Sequence, residues 1–319
     1  MSEETLQALV QRREEQGHNV LVVDLVRADG GPLPAFDAGA HIDLHLGDGL
    51  VRPYSLASAP SARDRYRLGI LKDPASRGGS VAAHQRLQAG ATLRIGLPRN
   101  HFPLAEGATH TVLVGGGIGI TPMIAMAHAL SEAGQSFELH YCGRTEAACA
   151  FLDELRGSAF AAQVHTHFDN GSMVQRLDLD AVLGQAAPGT HLYVCGPGGF
   201  MDWVIGEAQG LGLPEAQIHK EYFQVASDTS GKAFDVVAQK SGQRVRVEAD
   251  QSIVEALAGI GIKVQVSCVQ GVCGTCLCTV LEGTPDHRDV FLTEDEKADN
   301  DQILLCCSRA QSDTLVLDL

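Results

Sequence analysis

The sequence predicts a multidomain chain of three unlike parts: an antiparallel β-barrel, an α/β domain built on a parallel sheet, and a small α+β domain. Three observations predict it. Residues 1–105 run in short, turn-separated stretches of alternating apolar and polar residues, the pattern of antiparallel strands. Residues 106–225 alternate strands with helices, the pattern of a parallel sheet with helices on both faces. The last fifth of the chain holds six of the nine cysteines, Cys268, Cys273, Cys276, Cys278, Cys306 and Cys307. A length of 319 residues suits two to three domains at roughly 100–200 residues each.

In the first part, segments 20–28, 41–46, 65–71 and 91–97 read as strands. Ser80 reads as the cap of a helix over Val81–Ala89 that Gly90 stops. In the second, 111–117 reads as a buried strand before a helix over 122–133, with Thr121 as its cap and Pro122 at its first position. Strands at 137–142, 163–168 and 191–196 follow, with helices at 146–156 and 200–209. Met123 and Met126, three apart on the first of these helices, read as core. A polar stretch, Ala226–Lys232, reads as a linker. From 233 to 319, a hairpin around Lys240–Gly242 precedes a short helix opened by the capping box Ser252–Glu255.

There are 24 Lys and Arg against 39 Asp and Glu, a formal charge of −15. That disfavours nucleic acid and anionic membranes, both of which call for basic surface. The polar, acidic start has no signal-peptide core, and a cytoplasmic location is expected. Thirty-five glycines, above the usual ~7%, suggest tight turns or phosphate loops. A reducing compartment disfavours disulfides, so the cysteine cluster reads first as a metal or redox site.

Cys268-x4-Cys273-x2-Cys276, followed by Cys306, has the plant-type [2Fe–2S] spacing. Two irons take two thiolates each. Gly271, Gly274 and Thr275 between the ligands let the backbone wrap a cluster. The rival is structural zinc, which prefers two C-x2-C knuckles; one is present. Cys278 and Cys307 read as packed thiols.

Gly115-Gly116-Gly117-Ile-Gly119-Ile-Thr121-Pro122 follows a buried strand and opens a helix, and Cys195-Gly196-Pro197-Gly198-Gly199 follows a later strand. Two such turns at the carboxyl ends of parallel strands suit a nucleotide pyrophosphate; a plain tight turn is the alternative. Arg52-Pro53-Tyr54-Ser55 offers a cation for phosphate and a ring for stacking, and Arg77-Gly78-Gly79-Ser80 another helix N-terminus. Alone, the first is more often a plain strand and the second more often a surface turn. At the end of the second strand Arg144 is the only cation available for a 2′-phosphate, and Asp169 could hydrogen-bond a ribose hydroxyl; this points to NADH over NADPH. His165 and His167 could suggest a metal but read more readily as solvent-facing, and His219-Lys220-Glu221 could hold an acid–base pair but reads more readily as a surface ion pair.

In this order, the motifs resemble the phthalate dioxygenase reductase family, within the ferredoxin–NADP reductase superfamily. The resemblance runs nearly the whole length and includes Leu97–Asn100, Asp286-His-Arg-Asp289 and Cys306-Cys-Ser-Arg-Ala310. It implies an FMN-binding barrel (1–105), an NAD-binding α/β domain (106–225) and, after the linker 226–232, a β-grasp [2Fe–2S] ferredoxin domain (233–319). It implies flavin contacts from Arg52, Pro53, Tyr54, Ser55, Ile70 and Lys72, and a phosphate seat at Gly79 and Ser80 beside Gly78. Thr121 would lie at the flavin edge, Gly116, Gly117, Cys195, Gly196 and Pro197 at the nicotinamide site, and Phe223 over the flavin. Pro53 departs from the common pattern, and Pro is tolerated only on an edge strand.

The implied activity is electron transfer from NADH through FMN and the cluster to a separate terminal Rieske oxygenase. A hydride carries two electrons and a [2Fe–2S] cluster takes one; a flavin joins the two. Residues 282–301 hold eight acids (Glu282, Asp286, Asp289, Glu294, Asp295, Glu296, Asp299, Asp301) against Arg288 and Lys297, a docking face for a basic partner or simply a solvated one. A different acceptor, such as a P450, and a non-enzymatic redox sensor are the alternatives.

Overall fold

The computed structural model describes residues 4–74, 76–170, 176–225 and 228–319. Its contacts divide the chain into two units, 1–223 and 224–319. The first holds two sheets and the second the cysteine-rich end.

The first sheet comprises β1 (Thr5–Gln16), β2 (Val20–Arg27), β3 (Ala40–His45), β4 (Val51–Ser55), β5 (Tyr66–Leu71), β6 (Thr92–Gly96) and β7 (Arg99–Asn100), with α1 (Gly79–Arg86) between β5 and β6. The strands run antiparallel in the order β4-β3-β6-β1-β2-β5, and β7 pairs with β3. A bridge between Leu56 and Leu68 joins the two ends into a barrel. The charged start of the chain, unassigned from sequence, forms the long strand β1; its Ala8 and Val10 are fully buried while the charges face out. Alternation on β5 sends Tyr66, Leu68 and Ile70 into the barrel core.

The second sheet is parallel: β8 (His110–Gly116), β9 (Phe137–Gly143), β10 (Val164–Phe168), β11 (Thr190–Cys195) and β12 (Ile218–Glu221). Between the strands lie α2 (Ile120–Glu132), α3 (Leu152–Arg156), α4 (Leu179–Leu183) and α5 (Gly198–Gly210). The order is β10-β9-β8-β11-β12. Leu113, Leu139 and Tyr193 pack on α2 from one face, and Val112, Leu192 and Val194 on α4 and α5 from the other, so both faces are covered as predicted. Met123 and Met126 are wholly buried.

Three helix expectations change. α1 begins at Gly79 without a side-chain cap, because the Ser80 hydroxyl accepts from the Asp73 N–H (3.1 Å). α2 begins two residues before Pro122, so Thr121 lies inside its first turn and donates back to the Ile118 carbonyl (3.0 Å). The helix expected over 146–156 is a 3-10 turn at Glu146–Ala148 and then α3; the intervening Phe151 has a left-handed φ of 65°.

The barrel and the parallel sheet belong to one unit. Arg67 on β5 pairs with Asp24 on β2 at 2.7 and 2.8 Å and with Glu154 on α3 at 2.7 Å. Gly69 admits the Phe151 ring and Thr121: a Cβ there would stand 2.7 Å from the ring and 2.9 Å from Thr121 Cγ2. The Tyr193 hydroxyl accepts from the Ala105 N–H (2.6 Å), fixing the passage from one sheet to the next.

The second unit contains β13 (Phe234–Ala238), β14 (Gln243–Val247), α6 (Ile253–Gly259), β15 (Leu277–Glu282), β16 (Pro285–Asp286), α7 (Glu294–Asp299), β17 (Gln302–Leu304), β18 (Arg309–Ala310) and β19 (Thr314–Leu317). The main sheet, β14-β13-β19-β15-β17, is mixed. Ile253, Ala256 and Leu257 of α6 pack on it. The Ser252–Glu255 capping box is formed as the sequence predicts. Of the expected linker, Ala226 and Ser227 lie outside the described residues.

Candidate functional site

Four cysteines meet in the irregular stretch between α6 and β15 and at the turn after β17. Cys268, Cys273, Cys276 and Cys306 are each 3–5% exposed. The Cys273 thiol lies against Cys268, and the Cys276 thiol against Cys306, which Cys307 also meets. These contacts, with burial, push the Cys273 and Cys276 thiols up, so binding a metal there must release protons. Four buried thiols could hold the two irons of a [2Fe–2S] cluster, two thiolates to each iron.

Backbone and hydroxyl donors already point at the sulfurs. Cys268 N–H donates to Cys273 Sγ (3.5 Å), Gln270 N–H to Cys268 Sγ (3.4 Å), and the Thr275 hydroxyl lies 3.2 Å from Cys273 Sγ. Val269 takes a positive φ of 55° between these donors, a conformation that is costly for a β-branched residue. Gly271 and Gly274 have φ of 73° and 70°. A side chain on Gly271 would meet Cys307 Sγ, and one on Gly274 the Phe291 ring. Cys307 is fully buried beside this loop, where contact with Cys306 lowers its thiol, and the Cys278 thiol is hydrogen-bonded to the Thr279 carbonyl (3.5 Å).

In the first unit the two glycine turns touch. β8 and β11 are adjacent and parallel, with successive strands leading away on opposite sides. Their carboxyl ends therefore form the switch point at which open α/β sheets take ligands. A Cβ on Gly119 would meet the Cys195 carbonyl and stand 2.7 Å from Gly196 N; one on Gly196 would be 3.1 Å from Gly116 Cα. Gly117 has φ 55° and open space beside it. Pro197 precedes α5, whose start has no side-chain cap. Phe200, which no sequence signal marked, packs over Gly116 and Gly196. Arg144 and Asp169 are exposed at the ends of β9 and β10, tied by Asp169 N–H to the Gly143 carbonyl (3.1 Å) and Asn170 N–H to the Arg144 carbonyl (3.2 Å).

On the barrel, Arg52 lies against the start of α1. Its guanidinium donates to the carbonyls of Val51 (2.7 Å) and Arg77 (3.3 Å), and its stem fills the space where a Gly79 Cβ would sit, 2.6 Å from Arg52 Cγ. Gly78 has φ 88°. An uncapped helix start of backbone N–H groups beside a guanidinium fits a phosphate. Pro53 lies on β4, at the end of the strand order, in keeping with its missing N–H. Tyr54 is half-buried, and burial pushes its phenol well up. Ile70 is fully buried in the barrel core, and its carbonyl is 2.8 Å from His84 Nε2. Lys72 is exposed, with its N–H donating to the Asn19 carbonyl (2.8 Å).

These elements meet around Glu221. The Ser55 hydroxyl donates to Glu221 Oε2 at 3.5 Å. Glu221 lies in register beside Cys195 across β11 and β12. Burial pushes its carboxyl up to about 8, against the Ser55 hydrogen bond. Burial, and then the Glu221 charge, push the Cys195 thiol well up. Thr121 is buried at the barrel side of α2, and Phe223 packs on the same core. The surface ion pair expected of His219-Lys220-Glu221 is thus corrected. Lys220 is exposed, and His219 stacks on Tyr193 and bonds His191 (2.8 Å), while Glu221 turns to Ser55. Strand alternation in Ile218–Glu221 separates Lys220 from its neighbours; which face it gives Glu221 depends on a β4 contact distant in sequence. His165 is exposed and His167 bonds the buried His140 (3.0 Å).

Comparison with known proteins agrees with these features. The description "2Fe-2S iron-sulfur cluster binding domain" matches residues 236–311, and "Dimethylamine monooxygenase subunit DmmA-like, N-terminal domain" matches 94–218. A vanillate O-demethylase oxidoreductase of Pseudomonas sp. (strain HR199 / DSM 7063) is 50% identical over 303 residues, 94% of this chain and 96% of its own. The crystal structure of phthalate dioxygenase reductase, described as modular for electron transfer from pyridine nucleotides to [2Fe–2S], superposes with a TM-score of 0.76. It is 36% identical and covers 99% of this chain and 98% of its own. An intact type IV self-sufficient cytochrome P450 monooxygenase aligns with a TM-score of 0.86 at 38% identity, over 99% of this chain and 41% of its own.

Fold, buried thiols and paired glycine turns define an electron-transfer oxidoreductase with a [2Fe–2S] domain at its C-terminal end. The chain belongs to the phthalate dioxygenase reductase family, whose members here are reductase components of oxygenase systems.

Proposed function

We propose that the protein is a cytoplasmic NADH-dependent reductase that passes electrons through FMN and a [2Fe–2S] cluster, one at a time, to a separate terminal Rieske oxygenase. The observation that carries it is the presence in one chain of a nucleotide switch point and four buried thiols. The flavin supplies the exchange between a two-electron donor and a one-electron acceptor. The start of α1 and Arg52 hold the phosphate that ends FMN; Tyr54 offers its ring and a protonated hydroxyl. Gly116, Gly117, Gly196 and Pro197 admit the pyrophosphate and nicotinamide. Asp169 hydrogen-bonds a ribose hydroxyl and repels a 2′-phosphate, which Arg144 alone would attract. Ser55, Thr121 and Cys195 orient the reacting rings, and Phe223 shields them. Glu221 holds its proton below pH about 8, beside the Ser55 hydroxyl. Cys268, Cys273, Cys276 and Cys306 hold the irons.

The acidic run narrows as a docking face. Asp286 pairs with Arg288, buried Asp289 caps the Phe291 and Leu292 N–H groups, and Glu296 caps its own helix. Glu294 pairs with Lys297 (2.9 Å), which leaves Glu282, Asp295, Asp299 and Asp301 for a basic partner. The match to a self-sufficient P450 favours a second reading, in which the acceptor is a haem protein. Reconstitution decides between them: purified protein, NADH and either a Rieske O-demethylase or a P450, with acid extraction to identify the flavin. Turnover with the Rieske enzyme, extracted FMN and a kcat/KM favouring NADH over NADPH are expected. Extracted FAD, or turnover with the P450 alone, refutes the proposal.

A further inference from the structure

Residues 228–232, expected as linker, are held by two arginines from the far end of their own unit. Arg309 is 1% exposed. Its guanidinium donates to the carbonyls of Thr229 (2.5 Å), Lys232 (3.1 Å), Glu248 (2.9 Å) and Gln251 (2.7 Å), and lies 5.2 Å from the Phe234 ring centroid. Arg288 donates through Nη1 to the carbonyls of Asp228 and Ser230, both at 2.6 Å, and through Nε and Nη2 to Asp286 (2.8 and 2.6 Å). Gly231 passes between them with φ 155°; a Cβ there would stand 3.1 Å from Arg309 Nε and 3.3 Å from Arg288 Nη2. Its N–H donates to the Ala249 carbonyl (2.8 Å).

The same arginines are chained to the cluster loop. Arg288 N–H donates to the Ser308 hydroxyl (3.2 Å), which donates to Asp289 (3.3 Å). Asp289 packs at Gly271, and Ser308 and Arg309 follow Cys306 and Cys307 directly. A buried guanidinium satisfied by backbone carbonyls is a strong constraint on the chain that supplies them, because removing it strands those acceptors.

We propose that Arg288 and Arg309 latch residues 228–232 onto the cluster domain and thereby set how much chain connects that domain to the flavin–nucleotide unit. They are positioning residues for electron entry into the cluster. The inference rests on the proposed electron route. With the latch shut, four residues, 224–227, separate Phe223 from the anchored Asp228. Opening it adds five residues, up to about 17 Å at ~3.4 Å each. Lengthening a connection from four residues to nine lowers effective concentration roughly threefold where it falls as the −3/2 power of length. The reaction affected is NADH plus two oxidised clusters giving NAD+, a proton and two reduced clusters.

The test uses the full-length holoprotein with Arg288→Ala and Arg288→Lys, and a wild-type chain lengthened by five Gly/Ser residues after Val225. Lys232 is exposed, and its carbonyl is held by Arg309, so native-state trypsin cleavage after it reports the latch without any turnover. Arg288→Ala frees Asp228 and Ser230 while Arg309 still holds Thr229 and Lys232, so it should speed that cleavage by up to about tenfold and slow cluster reduction by NADH by up to about threefold in stopped flow. Cluster circular dichroism and NADH–ferricyanide activity should stay as in wild type. Arg288→Lys, a point donor without the planar fork, should fall between. The lengthened chain should show the slower reduction with Lys232 still protected. Unchanged cleavage in Arg288→Ala overturns the latch. Unchanged reduction in the lengthened chain overturns its role in positioning, and a lost cluster signal in Arg288→Ala assigns the residue to cluster binding instead. Absence of NADH-driven cluster reduction in wild type would defeat the electron route, while the cleavage result would still decide the latch.

Discussion

In the cluster loop, three of the four proposed ligands fall within nine residues, Cys268 to Cys276. At the flavin–nucleotide centre, Ser55 and Glu221 share a hydrogen bond across 166 positions. A local site is written as spacing, because ligand geometry fixes which residues recur and how far apart. A site assembled from β4, α2, β11 and β12 is written only as separate fragments, each ordinary on its own. The difference teaches where single substitutions should act alone and where they should act through distant partners.

The largest effect should come from the local site. Cys306→Ser should remove the cluster's iron and sulfide and cut NADH–cytochrome c reduction by on the order of 100-fold, with NADH–ferricyanide activity retained. Cys307→Ser and Cys278→Ser should keep the cluster; the former, packed at Gly271, should cost about 1 kcal/mol of stability. Iron retained in Cys306→Ser and lost in Cys307→Ser would reverse the ligand assignment.

The assembled site should give a smaller, pH-dependent effect. Glu221 is raised to about 8 from an ordinary 4.5 by burial. The folded protein then binds more protons than the unfolded chain between those values, so stability should fall as pH rises through the window. Glu221→Gln should remove that fall, worth a few kcal/mol at most at ~1.4 kcal/mol per unit. Melting temperatures at pH 5 and pH 8.5 check it: the wild type should drop more than the variant. Parallel curves would show that the carboxyl group is not withdrawn from water.

The same contrast explains what the sequence disclosed. Period-two and helical patterns revealed most strands of both sheets of the first unit, though not β1 or β12, and the capping box at Ser252, because each is a local statement about which face is buried. The cluster spacing revealed the thiols. Glu221 stayed hidden because its neighbours His219 and Lys220 make a plausible surface pair, and only the contact with Ser55 distinguishes it. Phe200 stayed hidden because its role depends on the touching of two glycine turns. Ser80 looked like a helix cap until its hydroxyl was claimed by Asp73. Residues 228–232 looked like linker by composition, which carries no trace of two arginines distant in sequence.

The central claim is that nucleotide and flavin chemistry resides in the first unit and the one-electron exit in the second. The most direct measurement compares the full-length protein with one ended after Val225, assaying NADH oxidation with ferricyanide and with cytochrome c. The shortened protein should keep FMN and reduce ferricyanide at about the full-length rate, within roughly twofold, but reduce cytochrome c poorly and drive no oxygenase turnover. Cytochrome c reduction and oxygenase turnover at full-length rates would contradict the central claim, because the cluster would then lie off the electron path.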